Sequence, residues 1–484
     1  MPDFSVRNKR VIQLLLGAAF VVILNETIMS VALRELMVDL NITARTAQWL
    51  TTAFMLTMAV VIPITGFLLQ RFNTRPIFIA AMSLFSTGTL IAALAPGFSV
   101  LLFARIVQAS GTAIMMPLLM TTLMTLVPAN RRGKTMGNVS IVISVAPAIG
   151  PTISGIILST LSWRWMFWLV LPIAVTMLVI GYRRVENVTE PRKIPIDVGS
   201  VVLSAFGFGG LLYGLSQIGA DSGPAESSAP MWISLAVGAV ALVSFLLRQR
   251  LLQRSDRALL DLRTFRSPIF RVAVTLMVIM MSSLFGIIIL LPIYMQQVLG
   301  LPPVQVGLML LPGGLTMGLL APTVGRLYDR FGPRVLVVPG TILVSTVLWL
   351  LSTVTENTTT VQLVAAHVTL SLGLAMLFTP LFSASLGSLP PHLYSHGSAI
   401  VGTVQQVSAA IGTALFVTMM SIGAASLRSD GVAERIAVAG GVRDAFMTGA
   451  IISSFAIVAA FFIRKPTETV KDHDGDRESV PADR

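Results

Sequence analysis

The feature that most restricts this chain is a succession of apolar runs, each of about 20 residues, separated by short gaps rich in Arg, Lys, Gly and Pro. A helix rises about 1.5 Å per residue, so a run of that length crosses a hydrocarbon core of about 30 Å. A membrane β-strand needs only about 10 residues and alternates polar with apolar. These runs do not alternate, so the chain reads as an all-α polytopic membrane protein. Breaking it at the charged and Pro/Gly-rich gaps places spans near residues 11–33, 47–69, 76–95, 98–126, 134–159 and 163–182. Two more follow near 196–218 and 230–247, then six near 270–293, 303–325, 334–353, 359–386, 396–422 and 443–463. Only 12% of the residues are charged, too few to coat a water-soluble domain, whose composition is about 25% charged.

The net charge of +12 does not mark a nucleic-acid binder, because the basic residues lie in short gaps instead of on one face. They fall in alternate gaps: Arg71 and Arg75; Arg131, Arg132 and Lys134; Arg183, Arg184, Arg192 and Lys193; Arg248 through Arg271; Arg326, Arg330 and Arg334; Arg464 and Lys465. Such loops stay in the cytoplasm, which places both termini there. The opposite gaps are short or carry acids, as at Asp221, Glu226 and Glu356. The first apolar stretch is too long for a signal peptide and reads as a retained helix. There is no cysteine, no GxxxxGK[ST] string and no HExxH string, so no disulfide, nucleotide-driven step, metal site or cofactor is expected. The expected energy source is the proton motive force, and the expected state is a monomer in the bacterial cytoplasmic (inner) membrane.

Six, two and six spans divide the chain into an N-terminal bundle (1–187), an inserted helix pair with its linkers (188–256), a C-terminal bundle (257–465) and a disordered tail (466–484). Repeated bundles are a recurrent transporter plan. An internal echo supports it: GFLLQRFNTR, from Gly66 to Arg75, and GRLYDRFGPR, from Gly325 to Arg334, each follow the second span of their bundle. Gly66, Arg71 and Arg75 in the first, with Gly325, Asp329, Arg330 and Arg334 in the second, are candidates for a latch at the cytoplasmic face. The bland reading is a solvated loop.

An ionisable side chain within a span costs roughly 2.5–3.5 kcal/mol on insertion scales, so each needs a partner or a role. Glu26, in LNETIMSVAL, is the candidate proton carrier; the alternative is an acid that only faces a wet cavity. Asn25 and Thr27 beside it can bind substrate or serve as polar glue between helices. Arg105, in RIVQASGTA, heads a polar stripe with Gln108 and Thr112 at i+3 and i+7 and is the candidate coupling cation. Near a span end it would merely snorkel. In the fifth span Ala146, Gly150 and Ser154 recur every four residues while Pro147, Pro151 and Gly155 interrupt the helix. That pattern suits a packed hinge between bundles, or a static close-packed interface. Gln108, Thr112, Gln405, Gln406 and His367 are further cavity candidates, although a lone histidine such as His367 is more often one hydrogen-bonded within its bundle.

LNETIMSVAL, RIVQASG, APAIGPTISG, WRWMFWLVLP, LLDLRTFRS and LPIYMQQVLG followed by GLMLLPGG together resemble the fourteen-helix drug:proton antiporter branch of the major facilitator superfamily, and within it the lincomycin-resistance-type exporters. The resemblance runs from about residue 11 to 464. It implies two bundles rocking about a midplane cavity, two additional central helices, and exchange of inward protons for outward small lipophilic compounds, cationic or zwitterionic. Gln70 stands where the branch usually has an acid and Asn73 where it usually has Gly, so the resemblance assigns the charged latch to Asp329. A dedicated exporter of one metabolite, peptide or lipid would use the same fold, and a non-transporting receptor or scaffold is the reading from another class.

Overall fold

The computed structural model describes residues 6–188, 191, 195–218 and 229–466. Among them are fourteen helices long and apolar enough to cross a membrane. The first six are α1 (Val6–Asp39), α2 (Ala44–Arg71), α3 (Thr74–Ala93), α4 (Phe98–Leu126), α5 (Arg132–Thr160) and α6 (Arg164–Arg184). The next pair is α7 (Val198–Ser216) and α8 (Ala229–Leu252). The last six are α9 (Pro268–Ile293), α10 (Pro303–Phe331), α11 (Arg334–Leu351), α12 (Thr360–Gly387), α13 (Tyr394–Ser429) and α14 (Glu434–Ala460). The proposed tail, with Arg192, Lys193, Asp221 and Glu226, lies outside the described residues apart from Pro466.

Local chemistry fixes where these helices begin and end. Thr43 caps α2 by accepting the Thr46 N–H, Ser267 with Pro268 opens α9, and Thr359 and Gln362 form a reciprocal capping box at α12. Gly332 turns the chain out of α10 at φ +81°, whereas Asn73, its counterpart in the echo, is extended and leads into α3. Several helices outrun their apolar stretch: α1 and α13 have 34 and 36 residues, about 50 Å of helix against a hydrocarbon core of about 30 Å. Hydropathy reads only the segment in lipid, while the intrahelical hydrogen bonds continue into the polar layer. The far end of α1 is tied there, since Asp39 accepts the Trp163 indole N–H at 2.8 Å and Arg164 at 3.2 Å. The Trp163 bond first, with Arg164 helping, holds the Asp39 carboxyl below its usual value despite the opposing effect of burial.

The first six helices pack on one another, as do the last six, and α7 and α8 form a hairpin. The two groups meet along two seams, α2 against α13 and α5 against α10, each joining the second helix of one group to the fifth of the other. The hairpin lies on the first seam: α7 touches both α2 and α13, Trp49 stacks on Tyr213 with centroids 5.8 Å apart, and α8 turns Trp232, Ile233, Val240 and Leu251 outward. Both seams tighten at the end that carries Arg71, Arg75, Arg131 and Arg132, here called the basic end. Among the described residues every side-chain hydrogen bond between the two groups lies in that half. Gln70 Nε2 donates to the His392 carbonyl at 3.0 Å, Thr121 Oγ1 to Ser398 Oγ at 3.2 Å, and Arg132 Nη2 to the Tyr394 hydroxyl at 3.2 Å. Ser140 and Thr379 share a proton at 2.7 Å, and the backbone N–H groups of Gly133 and Lys134 donate to Asp329 at 2.7 and 2.8 Å.

Candidate ion-coupling site

Arg105 enters α4 about two turns from the end opposite the basic one and is 1% exposed. Three neutral partners hold it. Nη1 donates to Gln108 Oε1 at 2.7 Å, Nε reaches the Leu50 carbonyl of α2 at 3.5 Å, and the guanidinium lies 4.1 Å from the Phe54 ring centroid. A desolvated cation over an aromatic face gains about 2 kcal/mol, and the fork of donors accepts a carbonyl and an amide without a carboxylate. Among the described residues no acid forms an ion pair with Arg105. The carboxylate whose charge acts on it is Glu26 of α1, partly buried.

The polar stripe on α4 serves the bundle interior. Gln108, fully buried, donates from Nε2 to Thr89 Oγ1 of α3 at 2.8 Å, and Thr89 in turn donates to the Phe85 carbonyl at 2.7 Å. Thr112, 4% exposed, donates to the Gln108 carbonyl of its own helix. Gln108 and Thr112, cavity candidates from the sequence, are enclosed in the bundle here: Gln108 offers the buried cation its amide oxygen and is itself tied to Thr89, while Thr112 bonds back to its own helix. Asn25 is also enclosed, with its amide nitrogen lacking a protein partner, and Thr27 donates to the Leu24 carbonyl of α1.

The α5 pattern is also relocated. Ala146 and Ser154 are fully buried, and Ser154 Oγ donates to the Ile28 carbonyl of α1 at 2.9 Å. A Cβ at Gly150 would strike the Thr27 hydroxyl. This face seats α5 on α1 inside one group of helices, not between groups, and so fixes the backbone beside Glu26. Among the residues of α5 that meet α10 are Gly133, Gly137 and Val145. Pro147 and Pro151 lie within a helix that continues through both to Thr160, with Gly155 exposed beyond them.

At the basic end, Asp329 caps the N-terminus of α5 from the opposite group, where a carboxylate complements both the free N–H groups and the helix dipole. Gly325 makes that reach possible, because its backbone lies directly on that of Gly133. Gly66 in the other half of the echo abuts His396 and Ala399 of α13. The arginines of the echo turn to nearby rings: Arg71 to Phe67 and Phe72, Arg75 to Tyr182 and its carbonyl, Arg330 to Phe331, and Arg334 to Phe461. His367 is wedged between α10 and α12 against Gly313 and Ser371. Gln405 and Gln406 are partly buried on α13. Sequence reading missed Leu50, Phe54 and Thr89 around Arg105, for which no pattern signalled, and also missed Gly133 with Gly137, whose spacing of four was a usable signal.

Comparison with known proteins agrees with this architecture. The sequence profile of the Major Facilitator Superfamily matches residues 15–413. An uncharacterised MFS-type transporter of Bacillus subtilis, YcnB, is 42% identical over 94% of this chain and 95% of its own length. The lincomycin resistance protein LmrB of the same organism is 41% identical over 93% and 95%. A multidrug resistance protein B homolog of Mycobacterium tuberculosis is 29% identical over 82% and 73%. Among solved structures, the human organic anion transporter MFSD10 superposes with a TM-score of 0.68 at 13% identity over 95% of this chain and 100% of that one. The proton:xylose symporter XylE superposes with 0.65 at 14% identity over 95% and 96%. Fourteen membrane-length helices, a profile match across most of the chain and full-length bacterial relatives thus agree, and the chain belongs to the Major Facilitator Superfamily, a family of multi-pass membrane transporters and not of enzymes.

Proposed function

We propose that this transporter is a proton-coupled antiporter that exports small lipophilic compounds, cationic or zwitterionic, across the cytoplasmic membrane by alternating access. The basic end faces the cytoplasm under the positive-inside rule, which puts both chain termini there. Residues 1–187 and 257–465 rock as two bodies, carrying the 188–256 insertion. With the basic end shut, the arrangement corresponds to the stage at which Glu26 exchanges with the outside. Relatives named for lincomycin and multidrug resistance support drug-like cargo.

The observation that carries this reading is the unpaired state of Arg105: a sealed cation held by an amide, a carbonyl and a ring, with one acid near enough to act on it. Proton binding at Glu26 removes the negative charge that Arg105 attracts, and proton release restores it. The bundle then has two electrostatic states differing by one proton, which is what a coupled exchanger requires. A cationic substrate favours the deprotonated state, so proton and cargo exclude one another.

The test is Glu26→Gln in proteoliposomes containing only this protein. The amide keeps the shape and removes the titration. Export of ethidium driven by a pH gradient is expected to fall at least tenfold while insertion and thermal stability hold. Full export in that variant would remove the coupling scheme.

A further inference from the structure

Between the inserted pair and the α2/α13 seam lies a cavity of about 100 Å³ that involves none of the residues around Arg105. It is bounded by α2, α7, α9 and α13, with Leu212 and Leu215 of α7 and Phe285 of α9 forming apolar walls. Four polar side chains also line it: Ser216 of α7, which donates to the Tyr213 carbonyl of its own helix, and three others, Thr52 of α2 with Gln406 and Thr413 of α13. Among the described residues none of the three side chains makes a hydrogen bond. Hydroxyls on transmembrane helices usually bond back to their own helix, as Thr57 and Thr403 do here. Three partly buried polar groups from two helices, none of them bonded within the protein, thus face one small chamber and are free to bond a ligand there. No charged side chain lines the chamber.

We infer that this chamber is a substrate subsite in which α7 forms one wall, and that it takes an uncharged ring or short branched chain bearing one hydrogen-bonding group. The inference rests on the export reading and assigns the inserted pair a share in recognition. Drug-sized pockets measure about 300–1,000 Å³, so the chamber holds a fragment of a larger compound. The Gln406 amide, which both donates and accepts, engages the polar group with Thr52 and Thr413, while Leu212, Leu215 and Phe285 cover the apolar part. A lipid acyl chain fits the walls but leaves all three polar groups unanswered, which argues against it as occupant. The wall is fixed in place by the Trp49–Tyr213 stack on one side, and on the other Gly209 faces Val60, whose methyl a Cβ at that position would meet at 3.6 Å.

The native chain has no cysteine, so a single introduced thiol reports cleanly. In the full chain reconstituted in lipid nanodiscs, Leu215→Cys is labelled with N-ethylmaleimide with and without N-phenyl-1-naphthylamine, a neutral lipophilic amine. The amine is expected to slow labelling at least fivefold, to leave Ser244→Cys on the outer face of α8 unchanged, and to lose about tenfold in apparent affinity when Gln406→Leu is added. Ala410→Cys, on the α13 wall of the chamber, carries the same measurement if Leu215→Cys does not fold. Equal rates with and without the amine overturn the inference, as does a Gln406→Leu change that tightens binding, the result an acyl-type occupant predicts. Glu26→Gln separates the two readings: protection that persists while gradient-driven export is lost leaves both standing. Lost protection with intact native export sinks the subsite alone, and full export by Glu26→Gln sinks the coupling alone.

Discussion

The two seams between the bundles are assembled from equivalent parts and pack in different ways. At α5/α10 backbone meets backbone: Gly133 lies on Gly325, a Cβ at Gly137 would come within 2.6 Å of the Ala321 carbonyl, and Asp329 caps the facing helix. At α2/α13 side chains intervene. A Cβ at Gly402 would meet an Ile62 methyl at 3.1 Å, and Gly66 faces His396. A cavity of about 260 Å³ bounded by Gln70, Asp261, Arg263, His392 and His396 opens at the basic end, and α7 roofs the rest. A backbone contact has one geometry and yields poorly, whereas a seam of side-chain tips and voids can be repacked at low cost. The internal repeat thus settles which helices meet, and the residues at each meeting settle how stiff the joint is.

Matched methyl additions give the largest expected contrast. In Gly133→Ala the new Cβ runs into the Gly325 carbonyl, which cannot withdraw without moving α10, and into the Asp329 carboxylate, which must give up its cap on α5 to make room. Overpacking of this kind costs about 1–3 kcal/mol, and ethidium export should fall at least tenfold. Gly402→Ala meets a single movable methyl, and export should stay within twofold of the native rate. Equal losses in the two variants would mean that the seams do not differ in stiffness.

The polar tie across each seam provides a second, smaller contrast. Asp329→Asn keeps the shape but removes the charge from the α5 N-terminus, a change worth about 0.5–2 kcal/mol. The shut basic end should lose that much, raising the maleimide labelling rate of a buried Ser398→Cys reporter by about 2- to 30-fold. Gln70→Leu breaks one neutral bond to the His392 carbonyl and should raise it less than threefold. A larger effect from Gln70→Leu would reverse the assignment of the latch to the α5/α10 seam.

The spans were legible because each is dictated by one local quantity, apolar length, and Glu26 and Arg105 because an ion in such a stretch stands out against its background. Asp329 was legible from comparison of the two echo strings, where Gln70 replaces the acid. What surrounds these residues was not. The Phe54 ring and the Leu50 carbonyl reach Arg105 through the packing of α2 on α4, and a backbone carbonyl carries no sequence signature. Gln108 and Thr112 share a helix face with Arg105 as the spacing predicts, yet that face is turned inward, since periodicity gives a stripe but not its neighbour. The α5 small residues read as a hinge between bundles or as a static close-packed interface for the same reason: spacing of four shows that a backbone comes close, and α1 and α5 or α5 and α10 satisfy it equally.

The base of the inserted hairpin bears on the roofed seam alone and carries the smallest expected effect. Asp197 accepts both Arg248 Nε and Nη2, at 2.7 and 2.8 Å, along with the N–H and hydroxyl of Ser200. Buried Gln249 extends the tie, donating to Ser200 Oγ at 2.7 Å and accepting the N–H groups of Leu259 and Leu260 at 2.7 and 3.2 Å. The α7–α8 hairpin is thereby fastened to the segment that leads into α9. The Arg248 bonds first, then Ser200, hold the Asp197 carboxyl well below the usual carboxylate range. A depressed folded-state pKa stabilises above the unfolded value and loses that contribution as pH falls through the folded one. Asp197→Asn should therefore lower thermal stability slightly and by a constant amount from pH 8 to about 5, with the difference shrinking only below about 3.9. Gly137→Ala, whose new Cβ meets Ala321 and Pro322 and no titrating group, should show the same deficit across that range. A penalty for Asp197→Asn that faded between pH 8 and 6 would place its origin outside the carboxylate at the hairpin base.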